Sequence, residues 1–201
     1  MINRTITIQT PHGPLHGQLE RPDAPRGIIL LARAHHAPID TLIAESLTWH
    51  GYAIFSGELL SSQEARFTDA TQNVPRLTQR LLDILDLIRH DGDMQNLPLA
   101  IFANGDTTPA AIRAAAQRDT QVKALACHGG LVDHAGRQAL ELLVAPLLML
   151  FDANDEFAPA AFRRASGYLS CPHEMQTLAT GEDPVIRIAE WLERLLPKQE
   201  R

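Results

Sequence analysis

An α/β protein with a mostly parallel, doubly wound sheet is the fold class that the sequence predicts. Two observations carry this. From Gly27 onward, short apolar runs alternate with segments of helical periodicity. The runs themselves, such as "GIILLA" (27–32) and "LPLAIFA" (97–103), are continuously apolar, as strands buried on both faces are. Strand–helix alternation of this kind gives parallel βαβ crossovers with helices on both sides of the sheet.

A hairpin precedes the alternation. "RTITIQ" alternates in polarity and "LHGQLE" follows the turn "TPHGP", so the two read as antiparallel strands at one edge. "IDTLIAESLTWHG" has apolar residues at helical spacing and ends on Gly51, a natural C-cap. "YAIFS" is the next short strand. "VPRLTQRLLDILDLIRHDG" is an amphipathic helix in which leucine or isoleucine recurs every three to four residues. Strand "LAIFA", helix "PAAIRAAAQ", strand "VKALAC" and helix "HAGRQALELLV" follow. Strand "PLLMLF", helix "PAAFRRASGYL", strand "HEMQTLA" and helix "PVIRIAEWLERLL" complete the pattern, and the tail "PKQER" reads as a frayed polar end.

Length and composition fit one domain, residues 1–201, with a full core. Apolar residues make up 45% and charged residues 21%, ordinary for a soluble globular chain. A formal charge of −6, with no basic run to offset it, argues against nucleic acid as a partner. "MINRTITIQTPHG" lacks the apolar stretch of a secretory signal, and no segment has the roughly 18 apolar residues of a membrane span. Cys127 ends "VKALAC" as a small core residue would. With Cys171 the only other cysteine, a reduced, cytoplasmic setting fits better than a disulfide. No CxxC, HExxH or Walker A pattern occurs, so no cofactor is expected.

In open α/β sheets, ligands sit beyond the carboxyl ends of the strands. The residues that follow each strand are "RAHH" (33–36), "NGDTT" (104–108), "HGG" (128–130), "DANDE" (152–156) and "TGED" (180–183). They put Arg33, His35, His36, Asn104, Asp106, Thr107, His128 and Asp155 on one candidate pocket rim. Arg33 and the histidines would suit a polar or anionic ligand, and a charged rim is also what a solvated edge looks like.

Three landmarks, "LPLAIFA…AAIRAAA", "VKALACHGGLVDHAG" and "APLLMLFDANDE", come in an order and at a spacing that resemble the dienelactone-hydrolase-like branch of the α/β-hydrolases. The resemblance runs from about residue 12 to residue 197. It implies a three-layer α/β-hydrolase-like fold without a large cap. It also implies a serine nucleophile on a tight strand-to-helix elbow, an acid after a later strand, and a histidine after the last strand. Laid onto that pattern, the serine position falls on Gly105, with Ala103 and Thr107 as the small flanking residues. Gly105 has nothing to attack with, yet it adopts at no steric cost the positive φ that an elbow needs.

The acid position falls on Asp155, which equally reads as a cap for the helix starting near Pro159. The histidine position falls near Gly181 or Glu182, and no histidine is there; His173 precedes the last strand, at the opposite end of the sheet. The residue after the nucleophile position, whose N–H would face an oxyanion, is Asp106. The second oxyanion element becomes Arg33-Ala34, without a glycine. Thr108 reads as the N-cap of the helix that begins at Pro109.

Two classes of function stay open. One is a non-catalytic scaffold, a pseudoenzyme that binds a small polar ligand or a protein partner. The other is a hydrolase of small esters or lactones working through a rearranged polar site of Asp106, His35, His36, His128 and Asp155. That site could use Asp106 as nucleophile, which needs a histidine to activate water, or a metal held by imidazoles and carboxylates, for which no local ligand spacing exists. Cys127 beside His128 reads as a packed core thiol. Loss of nucleophile, histidine and oxyanion glycine together favours the scaffold.

Overall fold

The computed structural model describes residues 1–10 and 13–196; the middle of the turn "TPHGP" and the tail "PKQER" lie outside the described residues. The leading hairpin is β1 (Ile2–Thr10) and β2 (Gly13–Arg21), paired antiparallel with Ile2 opposite Arg21. Next come β3 (Ile28–Arg33), α1 (Pro38–Trp49), β4 (Ala53–Glu58), α2 (Val74–His90), β5 (Leu99–Asn104) and α3 (Thr108–Gln117). The chain continues through β6 (Val122–His128), α4 (Arg137–Leu142), β7 (Leu147–Asp152), α5 (Phe157–Ser166), β8 (His173–Leu178) and α6 (Pro184–Leu195).

The strands form one sheet in the order β1-β2-β4-β3-β5-β6-β7-β8. Only β1/β2 and β2/β4 are antiparallel; from β4 to β8 every pairing is parallel. "LAIFA" lies beside "GIILLA", with Ile28 opposite Leu99, so β5 occupies the middle of the sheet. All six residues of β3 are buried, which explains its unbroken apolar sequence.

Alternate side chains serve two cores. Ile28, Leu30, Ile101 and Ala103 face the layer of α2, α3 and α5, which contributes Leu81, Ile84, Ile112 and Phe162. Ile29, Leu31 and Phe102 face α1 and α6, which contribute Ile43, Leu47, Ile188 and Trp191. The result is the three-layer arrangement expected, with the parallel strand ends carrying the loops after β3, β5, β6, β7 and β8.

One expected helix is broken. Instead of a continuous helix over 134–144, a 3₁₀ turn spans Val132–Ala135, the chain swings through Gly136 at φ +85°, and only the short α4 follows. Arg113 Nε fixes the bend by donating to Ala135 O at 2.7 Å. Helix α5 also starts at Phe157, two residues before Pro159, because proline is tolerated in a first helical turn whose N–H groups lack partners in the helix. Among the described residues no helix is long and apolar enough to cross a membrane.

The long connection from β4 to α2 is pinned by an ion pair. Arg80 on α2 is buried; its Nη1 donates to Leu59 O and to Glu64 Oε2 (2.8 Å), and its Nη2 to Glu64 Oε1 (2.6 Å). Ser61 N–H donates to the same carboxylate at 2.9 Å. The Arg80 bonds hold the Glu64 carboxyl at a pKa of about 2, below its ordinary 4.5. A depressed carboxylate stabilises the fold above its unfolded pKa and loses that contribution as the pH falls toward its folded pKa. Glu64→Gln should therefore lower unfolding stability at pH 7, with the gap to wild type shrinking between pH 4.5 and about 2 in denaturant titrations. A gap independent of pH over that range would contradict the pair's role.

Candidate functional site

At the end of β5 the chain leaves the sheet and enters α3 within four residues. Asn104 is extended (φ −136°), Gly105 has φ +53°, and Gly105–Thr107 form a single 3₁₀ turn. This is the positive φ expected at Gly105. An L-side chain there would be strained, yet a β-carbon would meet no atom within 4 Å, so the position faces open space.

Two threonines fasten the turn. Buried Thr107 accepts the Asn104 N–H (3.1 Å), and its hydroxyl lies 2.9 Å from both Ala32 O on β3 and Asn104 O. Thr108 donates to Gly129 O at 3.0 Å rather than capping α3 with its side chain, as the sequence led one to expect. Gly130, at φ +91°, lies so close that a β-carbon would collide with Gly105 O and come within 2.7 Å of the Thr108 side chain. Only glycine allows that approach.

A cavity of about 560 Å³ opens over Gly105. Its floor is Gly105, Asp106 and Pro109; Gly130, Leu131 and His134 come from the loop after β6. Asp155, Phe157 and Ala158 come from the loop after β7, and Thr71, Gln72 and Val74 from the segment entering α2. Asp155 acts as the helix cap: its Oδ1 accepts the N–H groups of Phe157 and Ala158, both at 3.0 Å. Asp106 is exposed, and its carboxylate has no hydrogen-bond or ion-pair partner among the described residues.

His134, also with an unbonded imidazole among the described residues, was not among the sequence candidates. It lies in "HGGLVDHAG", at the start of the stretch expected to be helical, and the 3₁₀ turn Val132–Ala135 carries it at the cavity wall.

The remaining candidates lie elsewhere. Arg33 is 7% exposed: its Nε donates to Asp40 Oδ1 at 2.5 Å, its Nη1 to Ala32 O and Phe102 O, and its guanidinium carbon sits 4.6 Å above the Phe102 ring. Burial lowers its pKa, with the Asp40 bond opposing that shift. It is thus a core residue and not part of the rim. His36 is exposed and meets Thr41 Oγ1 at 3.2 Å, with its N–H on Glu58; His35 is exposed beside it.

His128 Nε2 lies 2.9 Å from Asp152 Oδ1 and is not among the cavity's lining residues. The Asn104 side chain is exposed. Gly181 is an exposed turn residue at φ +80°, and Glu182 is engaged by the Ala179 N–H and by Arg187, which lower its pKa. The five polar residues proposed for a rearranged centre therefore do not converge. Among the described residues, no three His, Cys, Asp or Glu side chains are placed to hold a metal ion. Cys127 is a fully buried free thiol pushed up to about 12 by burial, in the core as expected.

No protein-family model matches the chain. Over 160 residues, 78% of the chain, it is 30% identical to two Mycobacterium tuberculosis proteins, from strains CDC 1551 and H37Rv, named provisionally as phosphoribosyl transferases. The match covers 36% of each, so the chain spans about a third of the length of these curated relatives. Among solved structures, the dienelactone hydrolase of Anabaena variabilis superposes with a TM-score of 0.84 at 24% identity, covering 96% of both chains. Est1E of Butyrivibrio proteoclasticus gives 0.72 at 12% identity, covering 94% of this chain and 96% of its own. A serine hydrolase homologue of Coxiella burnetii gives 0.70 at 18%, covering 96% and 97%. The chain has the α/β-hydrolase fold.

The two glycines of the turn should respond differently to a methyl group. Gly105→Ala should lower unfolding stability by about 1 kcal/mol, from backbone strain alone. Gly130→Ala should cost clearly more, because strain is joined by a collision with the Gly105 carbonyl. Equal costs in chemical denaturation would contradict the packing described.

Proposed function

We propose that this α/β-hydrolase fold serves as a non-catalytic binding scaffold that takes a small ligand in the cavity over Gly105 and carries out no acyl transfer. The observation that carries the reading is Gly105 itself. It holds the positive φ of a nucleophile elbow at the position where the family pattern puts serine, and it has no side chain. Acyl transfer by that route needs a nucleophile, an imidazole to take its proton and donors for the oxyanion.

Here the position for the imidazole is the exposed turn at Gly181, and the residue following Gly105 is a free carboxylate that would oppose developing negative charge. Arg33, the last residue of β3, is a core arginine. Asp155 occupies the position of the acid and works as a helix cap. Each loss alone could be bypassed; together they leave a shaped cavity without the machinery.

A second reading, hydrolysis of small esters or lactones through Asp106, draws support from His134, which supplies to the same cavity the imidazole that such chemistry would need. Phosphoribosyl transfer finds little support in this cavity, since among the described residues no Lys or Arg lines it to hold a phosphate. The free thiols of Cys127 and Cys171 support a reducing, cytoplasmic setting. The acidic balance supports a partner other than nucleic acid.

Labelling with a fluorophosphonate probe, beside a panel of small esters and lactones, tests the reading. No adduct and turnover equal to buffer are expected for the wild type. Gly105→Ser should gain no turnover, because no histidine follows β8 in the sequence and the Asp106 carboxylate would oppose a developing oxyanion. Saturable turnover abolished by Asp106→Asn would establish the second reading instead.

A further inference from the structure

We infer that the cavity over Gly105 takes a small organic cation, an ammonium group carried on an apolar or aromatic body. The inference rests on the binding reading above and names the class of ligand. It starts from the charges on the wall. Asp106 presents a carboxylate with no partner among the described residues, and Asp155 commits only Oδ1 to its helix, leaving Oδ2 without one.

Among the described residues no Lys or Arg lines the cavity. Arg33, the cation that the sequence places nearest, is folded into the core against Asp40 and Phe102. Arg76, in the recess next to the cavity, lies within 3.5 Å of Glu64. Helices α3 and α5 both begin at the cavity, and their N-termini would otherwise favour an anion. Asp155 already occupies the α5 end and Asp106 sits in the turn leading into α3, so an incoming anion would meet carboxylates at both.

The apolar part of the wall completes the match. Phe157 is 83% exposed and Leu131 is 37% exposed at this cavity. An exposed phenyl face beside an unpaired carboxylate favours a cation that can lie against the ring while its charge reaches the acid. His134 adds an imidazole with hydrogen-bonding capacity to the same wall. The volume, about 560 Å³, is of the size that small-molecule sites have.

The test uses three probes of one shape: 3-phenylpropylamine, 3-phenylpropanol and 3-phenylpropanoate, titrated at pH 7 and low salt while backbone amides are followed by NMR. Shifts at Gly105, Gly130 and Ala158 locate binding in the cavity. The amine should bind roughly fivefold to tenfold more tightly than the alcohol, the carboxylate more weakly than either, and added salt should weaken only the amine. Asp106→Asn, an exposed substitution of the same shape, should erase the amine's advantage and leave the alcohol unchanged.

Equal affinities for amine and alcohol at those amides, or tightest binding by the carboxylate, would overturn the choice of a cation and leave the binding cavity standing. If none of the three probes moves those amides, the binding reading fails and this inference with it.

Discussion

A central strand that must become a helix within four residues needs one backbone position at positive φ, and the structure around the sheet's carboxyl edge is arranged about that need. Gly105 supplies it at the end of β5. Thr107 ties the turn back to β3 and Thr108 ties it across to the loop after β6, while Gly130 lies against the Gly105 carbonyl with no room for a β-carbon. Neighbouring strands on both sides thus hold the turn in place. Among the described residues no atom lies within 4 Å of where a Gly105 β-carbon would stand, and the loops after β6 and β7 and the segment entering α2 enclose a space there instead of a core.

Electrostatics then decide what that space can do. The ion pair between Arg33 and Asp40 is buried beside β5, where two charges survive only because each satisfies the other; removing either would strand its partner. That pairing keeps the positive charge at the end of β3 out of the cavity. On the cavity side, the carboxylate of Asp155 steadies the first turn of α5, and Asp106 stays free. The wall is therefore acidic and partly aromatic, the reverse of what an oxyanion or a phosphate would need.

Much of this fold was legible in the sequence because burial on both faces leaves a plain mark. "GIILLA" and "LAIFA" are apolar throughout since β3 and β5 are covered on both sides, and strand–helix alternation pointed to a mostly parallel sheet, though not to its strand order. "HAGRQALELLV" misled because its apolar spacing is helical on either side of Gly136, whose positive φ is a three-dimensional fact. The site was legible in part. Gly105, Asp106 and Asp155 could be placed by pattern, whereas Arg33 could not: an arginine at a strand end reads as rim, and only the position of Asp40 one helical turn into α1 draws it inward. His134 escaped because it reads as the first residue of a helix, whereas it lies in the 3₁₀ turn Val132–Ala135 at the cavity wall.

Gly105 is required for its backbone conformation and not for its small size. The unfolding free energies of Gly105→Asn, Gly105→Ala and Gly105→Val, compared in one series, decide between the two. Asparagine tolerates positive φ better than other residues with a β-carbon, and β-branched residues tolerate it worst. Open space over the position removes size as a factor. The predicted order of destabilisation is asparagine least, alanine next by about 1 kcal/mol relative to glycine, and valine most. Alanine equal to or more stable than asparagine, as at an ordinary helical or extended position, would contradict the claim.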